Sequence, residues 1–177
     1  MQPNLCSVDW FGAPLHRTFP IVFAVSPEHC FIAASFALPL NTMSGTSRGE
    51  FVEGLWNFDV VELFLREDGT TRYQELNVAP NGAWWSAVFS DYRKRQDAAP
   101  PQGVETHVEV SHGEQLVGFR FPRASLSVQS GFTIASRANL CAVVGTSDSR
   151  RYIAFHSRKD SVPDFHLAEC MQPMVLR

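Results

Sequence analysis

The stretch from Leu55 to Arg93, LWNFDVVELFLREDGTTRYQELNVAPNGAWWSAVFSDYR, sets Trp56, Tyr73 and Trp84-Trp85 among the carboxylate and amide side chains of Glu62, Glu75 and Asn77. That mixture suits a sugar ring, whose C–H faces stack on indole while its hydroxyls need paired acceptors and donors. The same aromatics also serve the core of a β-sandwich. Fold is therefore more legible here than function.

Alternation assigns the faces. In a strand from Phe58 to Leu65, Phe58, Val60, Glu62 and Phe64 point one way while Asp59, Val61, Leu63 and Leu65 point the other. Both sets are mostly apolar, so the strand is internal. Asp59 and Glu62 diverge, which makes them a poor glycosidase pair, since such carboxylates must flank one bond. Glu62 is desolvated in this reading and needs a donor, for which Arg120 or Arg137 is the expected source. A structural buried acid and a ligand-facing acid are both open at this point.

The hairpin at Ala79-Pro80-Asn81-Gly82, with Pro80-Asn81 central, places Asn77 opposite Trp84, Glu75 near Ser86 and Tyr73 near Val88. One face then carries Tyr73, Glu75, Asn77 and Trp84, and the other Gln74, Leu76, Val78, Trp85, Ala87 and Phe89, a core set. The first is the candidate binding face, against the plainer reading that Trp84 covers a polar outer face. A slip of one residue exchanges Trp84 and Trp85.

A second constellation is His156, Asp164 and His166, which with Glu62 offers a metal site or a proton relay. Asp-x-His on one strand puts Asp164 and His166 on the same face. The plainer account is a structural hydrogen bond closing the final strands. GxSxG, P-loop, HExxH and Rossmann patterns are absent from the sequence. Cys30 and Cys141 lie in apolar runs and read as inert thiols.

The elements that position these groups are short strands broken by turns. Phe19 to Val25 and Cys30 to Leu38 form a first pair around Ser26-Pro27-Glu28-His29, and Asn41 to Glu50 reads as a mobile loop leading to Leu55-Trp56. Gln96 to Gly103 reads as a surface linker. His107 to Val110 and Gln115 to Phe121 form a hairpin, and Pro122 to Leu126 makes one helical turn. Phe132 to Val144, Tyr152 to His156, Phe165 to Leu167 and Met174 to Leu176 are the later strands. The sum is an all-β antiparallel sandwich, with an eight-stranded barrel as its nearest rival.

A length of 177 residues suits one domain spanning 1–177. Fourteen Phe, four Trp and eleven Pro tilt the chain toward strands and turns, and a net charge of −3 with scattered arginines argues against nucleic acid as the partner. Cys6, Cys30, Cys141 and Cys170 show no CxxC spacing, and the opening MQPNLCSVDWFGAP has no secretory pattern. Free thiols in the cytoplasm are the expectation. No apolar run approaches the roughly 20 residues of a membrane span, so no membrane partner is expected.

The segments LWNFDVVELFL, RYQELNVAPNGAWW, FSDYR, RYIAFHS and VPDFH, in that order, resemble the DOMON-like family related to type 9 carbohydrate-binding modules. Trp56, Glu62-Leu63-Phe64, Tyr73 to Gly82 and Pro163-Asp164-Phe165-His166 carry the likeness, which spans about two thirds of the chain. The resemblance implies jelly-roll-like strand packing, sugar-binding ancestry and no catalytic role. It also implies structural calcium, although no loop of EF-hand spacing is present.

The expectation is thus a non-catalytic module holding a small sugar or sugar-like molecule. In it Trp56 and Trp84 flank the ligand, Glu75 and Asn77 bond its hydroxyls, and Arg93 or Arg137 assists, with Glu62, Tyr73, His156, Asp164 and His166 nearby. Two alternatives stand beside it. One is a hydrolytic or metal-assisted enzyme centred on His156, Asp164 and His166, and the other is a protein-interaction sandwich using Trp56 and the Met43 to Phe51 loop.

Overall fold

A computed structural model describes residues 4–128 and 136–173. They form two antiparallel sheets, the β-sandwich expected rather than a barrel. The smaller sheet has the order β1-β2-β3-β9-β8, with β1 at Asn4–Val8, β2 at Pro14–Val25, β3 at His29–Ala37, β8 at Glu105–Ser111 and β9 at Glu114–Pro122. The larger runs β11-β10-β4-β5-β6-β7, with β4 at Val60–Arg66, β5 at Tyr73–Val78, β6 at Trp84–Asp91, β7 at Lys94–Gln96, β10 at Arg137–Val144 and β11 at Arg151–Ala154. A short β12, Gln172–Pro173, also pairs with β10. No helix among the described residues is long and apolar enough to cross a membrane.

Two apolar clusters follow from the alternation. Ile21, Ile32, Phe36, Val61, Leu63, Leu76, Trp84, Phe119 and Leu140 come from both sheets and form the core between them. Val60, Phe64, Tyr73, Trp85, Phe89 and Val143 lie on the outer face of the larger sheet, where Trp10, Leu55, Phe165 and Met171 cover them. A sheet clad on both faces explains why β4 is apolar on both sides, and it is what buries Glu62.

The hairpins show turn chemistry setting register. Between β8 and β9, His112 and Gly113 both take positive φ, 50° and 78°, as a tight two-residue hairpin turn requires. Between β5 and β6, Pro80-Asn81 are the central turn residues, with the Gly82 N–H donating to Ala79 O at 2.8 Å. Gly82, at φ 83°, then adds a left-handed bulge residue, so the Ala79 N–H bonds Ala83 O at 2.9 Å. This corrects the expected pairing by one residue: Val78 faces Trp84, Asn77 faces Trp85, Glu75 faces Ala87 and Tyr73 faces Phe89.

Two further expectations change. Asn41 to Glu50 is tied to the hairpin: Gly49 N–H donates to Gly82 O at 2.9 Å, Trp84 Nε1–H to Gly49 O at 3.1 Å, and Asn81 Nδ2 to Thr46 Oγ1 at 2.8 Å. Phe165 to Leu167 is a turn running into a 3-10 turn at Ala168–Cys170, because the Asp164 side chain accepts the His166 N–H at 3.1 Å and bends the chain out of extension. The helical turn at Arg123–Ser125 agrees with expectation. The strand read over Phe132 to Val144 begins at Arg137, its first part lying outside the described residues, as does Met174 to Leu176.

Candidate functional site

The outer face of the larger sheet is a grid set by register. Along β4 the outward row is Val60, Glu62, Phe64 and Arg66. Across from it on β5 stand Asn77, Glu75 and Tyr73, facing Glu62, Phe64 and Arg66 in that order. Trp85, Ala87 and Phe89 follow on β6, and Cys141 on β10 flanks Glu62 from the other side. Where the cover opens, a cavity of about 520 Å³ stands over this grid, lined by Glu62, Glu75, Trp85 and Phe89 from the sheet, Trp56 from the 3-10 turn Leu55–Asn57, Arg95 from β7, and Arg93, Arg150 and His166 from loops.

Glu62 is 4% exposed, and none of the described residues donates a hydrogen bond to its carboxyl. Arg120 and Arg137, expected as its donors, pair instead with Glu105 at 2.7 Å and Asp68 at 2.9 Å, because Arg120 lies on the smaller sheet and Arg137 at the far end of β10. Burial, and then the charge of Glu75, push the Glu62 pKa well above the carboxylate range against the opposing pull of Arg150 and Arg93. Glu75 is pushed up to about 7 by burial, offset by the Asn77 amide, which donates to its Oε1 at 2.9 Å, and by Arg93 and Arg95. The two acids are diagonal neighbours on one face, so ionising one opposes ionising the other.

His166 joins the wall of this pair. Burial brings its pKa down to about 4, helped by Arg93 and opposed by Asp164, so its 3.7 Å approach to Glu75 is that of a neutral ring despite being within ion-pair distance. Tyr73 Oη accepts the Arg93 N–H at 3.0 Å and lies 2.8 Å from His166 Nδ1. That network directs the phenol proton to Nδ1 and leaves Nε2–H facing Glu75. Burial pushes the Tyr73 hydroxyl up to about 12. Behind the ring, Asp164 accepts from Arg93 at 3.0 Å and from the Tyr92 hydroxyl.

The mouth is aromatic and cationic. Trp56, 36% exposed, meets the buried Trp85 edge to face at 4.9 Å and 65°. The Arg95 guanidinium sits 5.2 Å from the Trp85 ring while pairing with Glu53 at 2.6 Å. Arg150 donates to the Trp56 carbonyl and leans on Tyr152 at 5.7 Å. Nε1 of Trp85 and Nε of Arg150 are buried without a hydrogen-bond partner. Natural interiors rarely leave such groups unpaired, and here they surround a cavity with an unpartnered acid on its floor.

Of the residues singled out from sequence, Trp56, Glu62, Glu75, Arg93 and His166 line the cavity together. Tyr73, Asn77 and Asp164 hold those side chains from behind. Three lie elsewhere. Trp84 packs in the core between the sheets, 5.7 Å from Phe119, because the bulge at Gly82 turns it inward. Arg137 is committed to Asp68, and His156 is exposed, fixed through its backbone to Asn139, and does not join His166 in lining the cavity. Trp85, Arg95 and Arg150 were not found by sequence reasoning. Only Trp85 left a signal there, as the partner of Trp84 in a one-residue slip. Among the described residues no group of three or more His, Cys, Asp or Glu side chains is placed to hold a metal ion, so the side chains present do not fit a calcium cage of that kind.

No protein-family profile matches the chain. The "UPF0462 protein C4orf33 homolog" of Danio rerio is 28% identical over 138 residues, covering 73% of this chain and 65% of that protein. The chain thus spans just under two thirds of that relative's length. The protein of the same description from Mus musculus is 24% identical over 176 residues, 93% of this chain and 86% of the relative. Among solved structures, a candidate carbohydrate-binding protein from Bacteroides uniformis superposes with a TM-score of 0.70 at 15% identity, covering 97% of this chain and 83% of that one. A family 9 carbohydrate-binding module from Caldicellulosiruptor kristjanssonii in complex with glucose gives 0.63 at 14% identity, with 99% and 84% covered. Its complex with cellotriose gives 0.57 at 15% identity, with 88% and 72% covered. These likenesses show that the chain has the fold of type 9 carbohydrate-binding modules. They do not bear on the DOMON-like part of the resemblance.

Proposed function

We propose that the cavity over Glu62 and Glu75 binds a small sugar or sugar-like molecule without transforming it. One observation carries the reading: a carboxyl buried to 4% exposure, with no donor of its own among the described residues, forms the floor of an open cavity whose mouth is built of indole. A ligand hydroxyl supplies the hydrogen bond that Glu62 lacks. Near neutral pH the two coupled acids share protons, so together they present both an O–H donor and a carboxylate acceptor to neighbouring hydroxyls. Arg150 has an unused donor at the same wall. Trp56 and Trp85, rather than Trp56 and Trp84, are the aromatic pair available to a ring C–H face. The volume falls within the usual range of small-molecule sites, about 300–1,000 Å³.

The fold supports the reading, since structures of this fold were determined with glucose and with cellotriose bound. Intrinsic tryptophan fluorescence, titrated with mono- and oligosaccharides, tests it. The expected result is a saturable change with at least one sugar that is lost in Trp56→Ala and in Glu62→Ala. A flat response to the whole panel by a cooperatively folded protein overturns it.

A further inference from the structure

A second cavity, about 290 Å³, lies beyond His166 on the same outer face, with Arg66, Thr71, Tyr73 and Tyr92 on its wall. His166 and Tyr73 separate it from the acids of the first. Its charged lining is Arg66 with Asp91 and Glu169. Arg66, the last residue of β4, faces Arg137 directly across the β4–β10 ladder, and like charges in that position repel. Arg137 is discharged by Asp68 at 2.9 Å. Arg66 has no direct partner: among the described residues no carboxylate lies within ion-pair distance of it, the charges of Asp68 and Glu169 reach it only from farther away, and its Nε is buried without a hydrogen-bond partner.

The acids in and near this cavity make no hydrogen bond or ion pair with Arg66. Asp91 accepts the Tyr92 N–H at 2.8 Å, and Glu169 lies 3.8 Å from Arg158. Asp164 is held by Arg93 and the Tyr92 hydroxyl. A guanidinium that repels its cross-strand neighbour and buries an unused N–H is costly unless something outside the chain completes it. A planar or tetrahedral oxyanion does so, because two of its oxygens can accept in parallel from Nε and a terminal nitrogen of one arginine.

We propose that the Arg66 cavity is an oxyanion subsite, taking the phosphate or carboxylate group of a small ligand through a bidentate contact to Arg66. The subsite stands independently of sugar binding in the first cavity, and the two share only the His166 wall. An acidic sugar with its ring in one cavity and its anion in the other is the ligand that would use both.

The test is NMR of the arginine Nε–Hε resonances of the full chain, titrated separately with inorganic phosphate and with acetate. Assignment comes from Arg66→Lys, which removes the Arg66 cross-peak. The expected result is a saturable shift of that cross-peak with at least one of the two anions and, followed in wild type and variants through the backbone amide resonances of Thr71 and Tyr92 on the cavity wall, an affinity lower by about 10-fold or more in Arg66→Gln, the share of a charge-assisted contact. Arg66→Lys, with its charge but no fork, also binds more weakly than wild type. Arg120→Gln on the smaller sheet binds as the wild type does. Response to phosphate alone marks a phosphate subsite, and to acetate alone a carboxylate subsite. An unmoved wild-type cross-peak, or equal anion affinity in Arg66→Gln and wild type, overturns the proposal. If Arg66→Gln does not fold, the wild-type cross-peak and the Arg66→Lys affinity decide it.

Discussion

Nε2 of His166 lies 3.7 Å from Oε2 of Glu75, and burial drives their pKa values in opposite directions, to about 4 for the imidazole and about 7 for the carboxyl. Each is therefore uncharged over most of the mildly acidic range. The pair is a polar contact kept neutral by desolvation, at the edge of a cavity floor that also holds Glu62.

This relationship has a pH signature. Glu75 ionises near 4.5 when unfolded and near 7 when folded, so the folded state holds the extra proton, and stability falls as pH rises through that window by on the order of 3 kcal/mol. His166 takes up its proton near 6.5 when unfolded and near 4 when folded. Its contribution is therefore lost as pH falls from 6.5 to 4, by a similar amount. The two oppose each other between 4.5 and 6.5. Urea unfolding across pH checks this: relative to wild type, Glu75→Gln should gain stability increasingly from pH 5 to 7, and His166→Gln should gain it from pH 6 to 4. Parallel pH profiles for wild type and both variants contradict the assignment.

The two exposures of indole predict opposite consequences of truncation. Trp84 fills the core between the sheets beside Phe119, so Trp84→Ala should cost about 3–5 kcal/mol. Trp56 stands at the cavity mouth, and Trp56→Ala should cost about 1 kcal/mol or less while removing the ligand response. Denaturant midpoints of the two variants separate these outcomes, and the reverse order would mean that the β5–β6 register is wrong.

Gly82 is where that register is set. Its φ of 83° is costly for any side chain, by about 1–2 kcal/mol, and an added Cβ would lie 2.8 Å from Arg48 Cγ and 3.0 Å from Val108 Cγ2. Gly69 has a similar φ of 73° with nothing within 4 Å. Gly82→Ala should therefore destabilise more than Gly69→Ala, and the difference in unfolding free energy measures the packing of the loop around Arg48. Equal losses would show that packing contributes nothing.

All four cysteines are free and buried. Burial pushes the Cys6 thiol up to about 11 and that of Cys30 to about 12, and holds Cys141 well above its ordinary range. Reactivity needs thiolate, so an aromatic disulfide reagent near neutral pH should label the native protein slowly and all four positions only on unfolding. Rapid labelling of Cys30 in the native state would contradict its place in the core.

The sequence carries the fold in its alternation. The run from Val60 to Leu65 is apolar on both faces, which only an internal strand clad on both sides accommodates, and one acid in such a run has a defined direction. Glu62 was legible for that reason. The hairpin was half legible: Pro80-Asn81 mark the turn, but whether Gly82 pairs or bulges depends on what packs around it, and Arg48 and Val108 arrive from distant segments. That single residue decides which tryptophan meets Glu75. Arg150 comes from a polar loop with no periodicity, and only tertiary packing puts it beside Trp56. The strand expected at Phe165 to Leu167 failed to appear because a local Asp164 side-chain bond outcompeted extension.

The central claim is that Glu62 and the Trp56–Trp85 corner form one sugar site. The most direct measurement is a crystal structure of the protein with the sugar that gives the strongest fluorescence response. The account predicts a sugar ring in the first cavity, its C–H face on Trp56 and a hydroxyl within hydrogen-bonding distance of the Glu62 carboxyl. A sugar ordered at any other place, with this cavity holding only water, would contradict it.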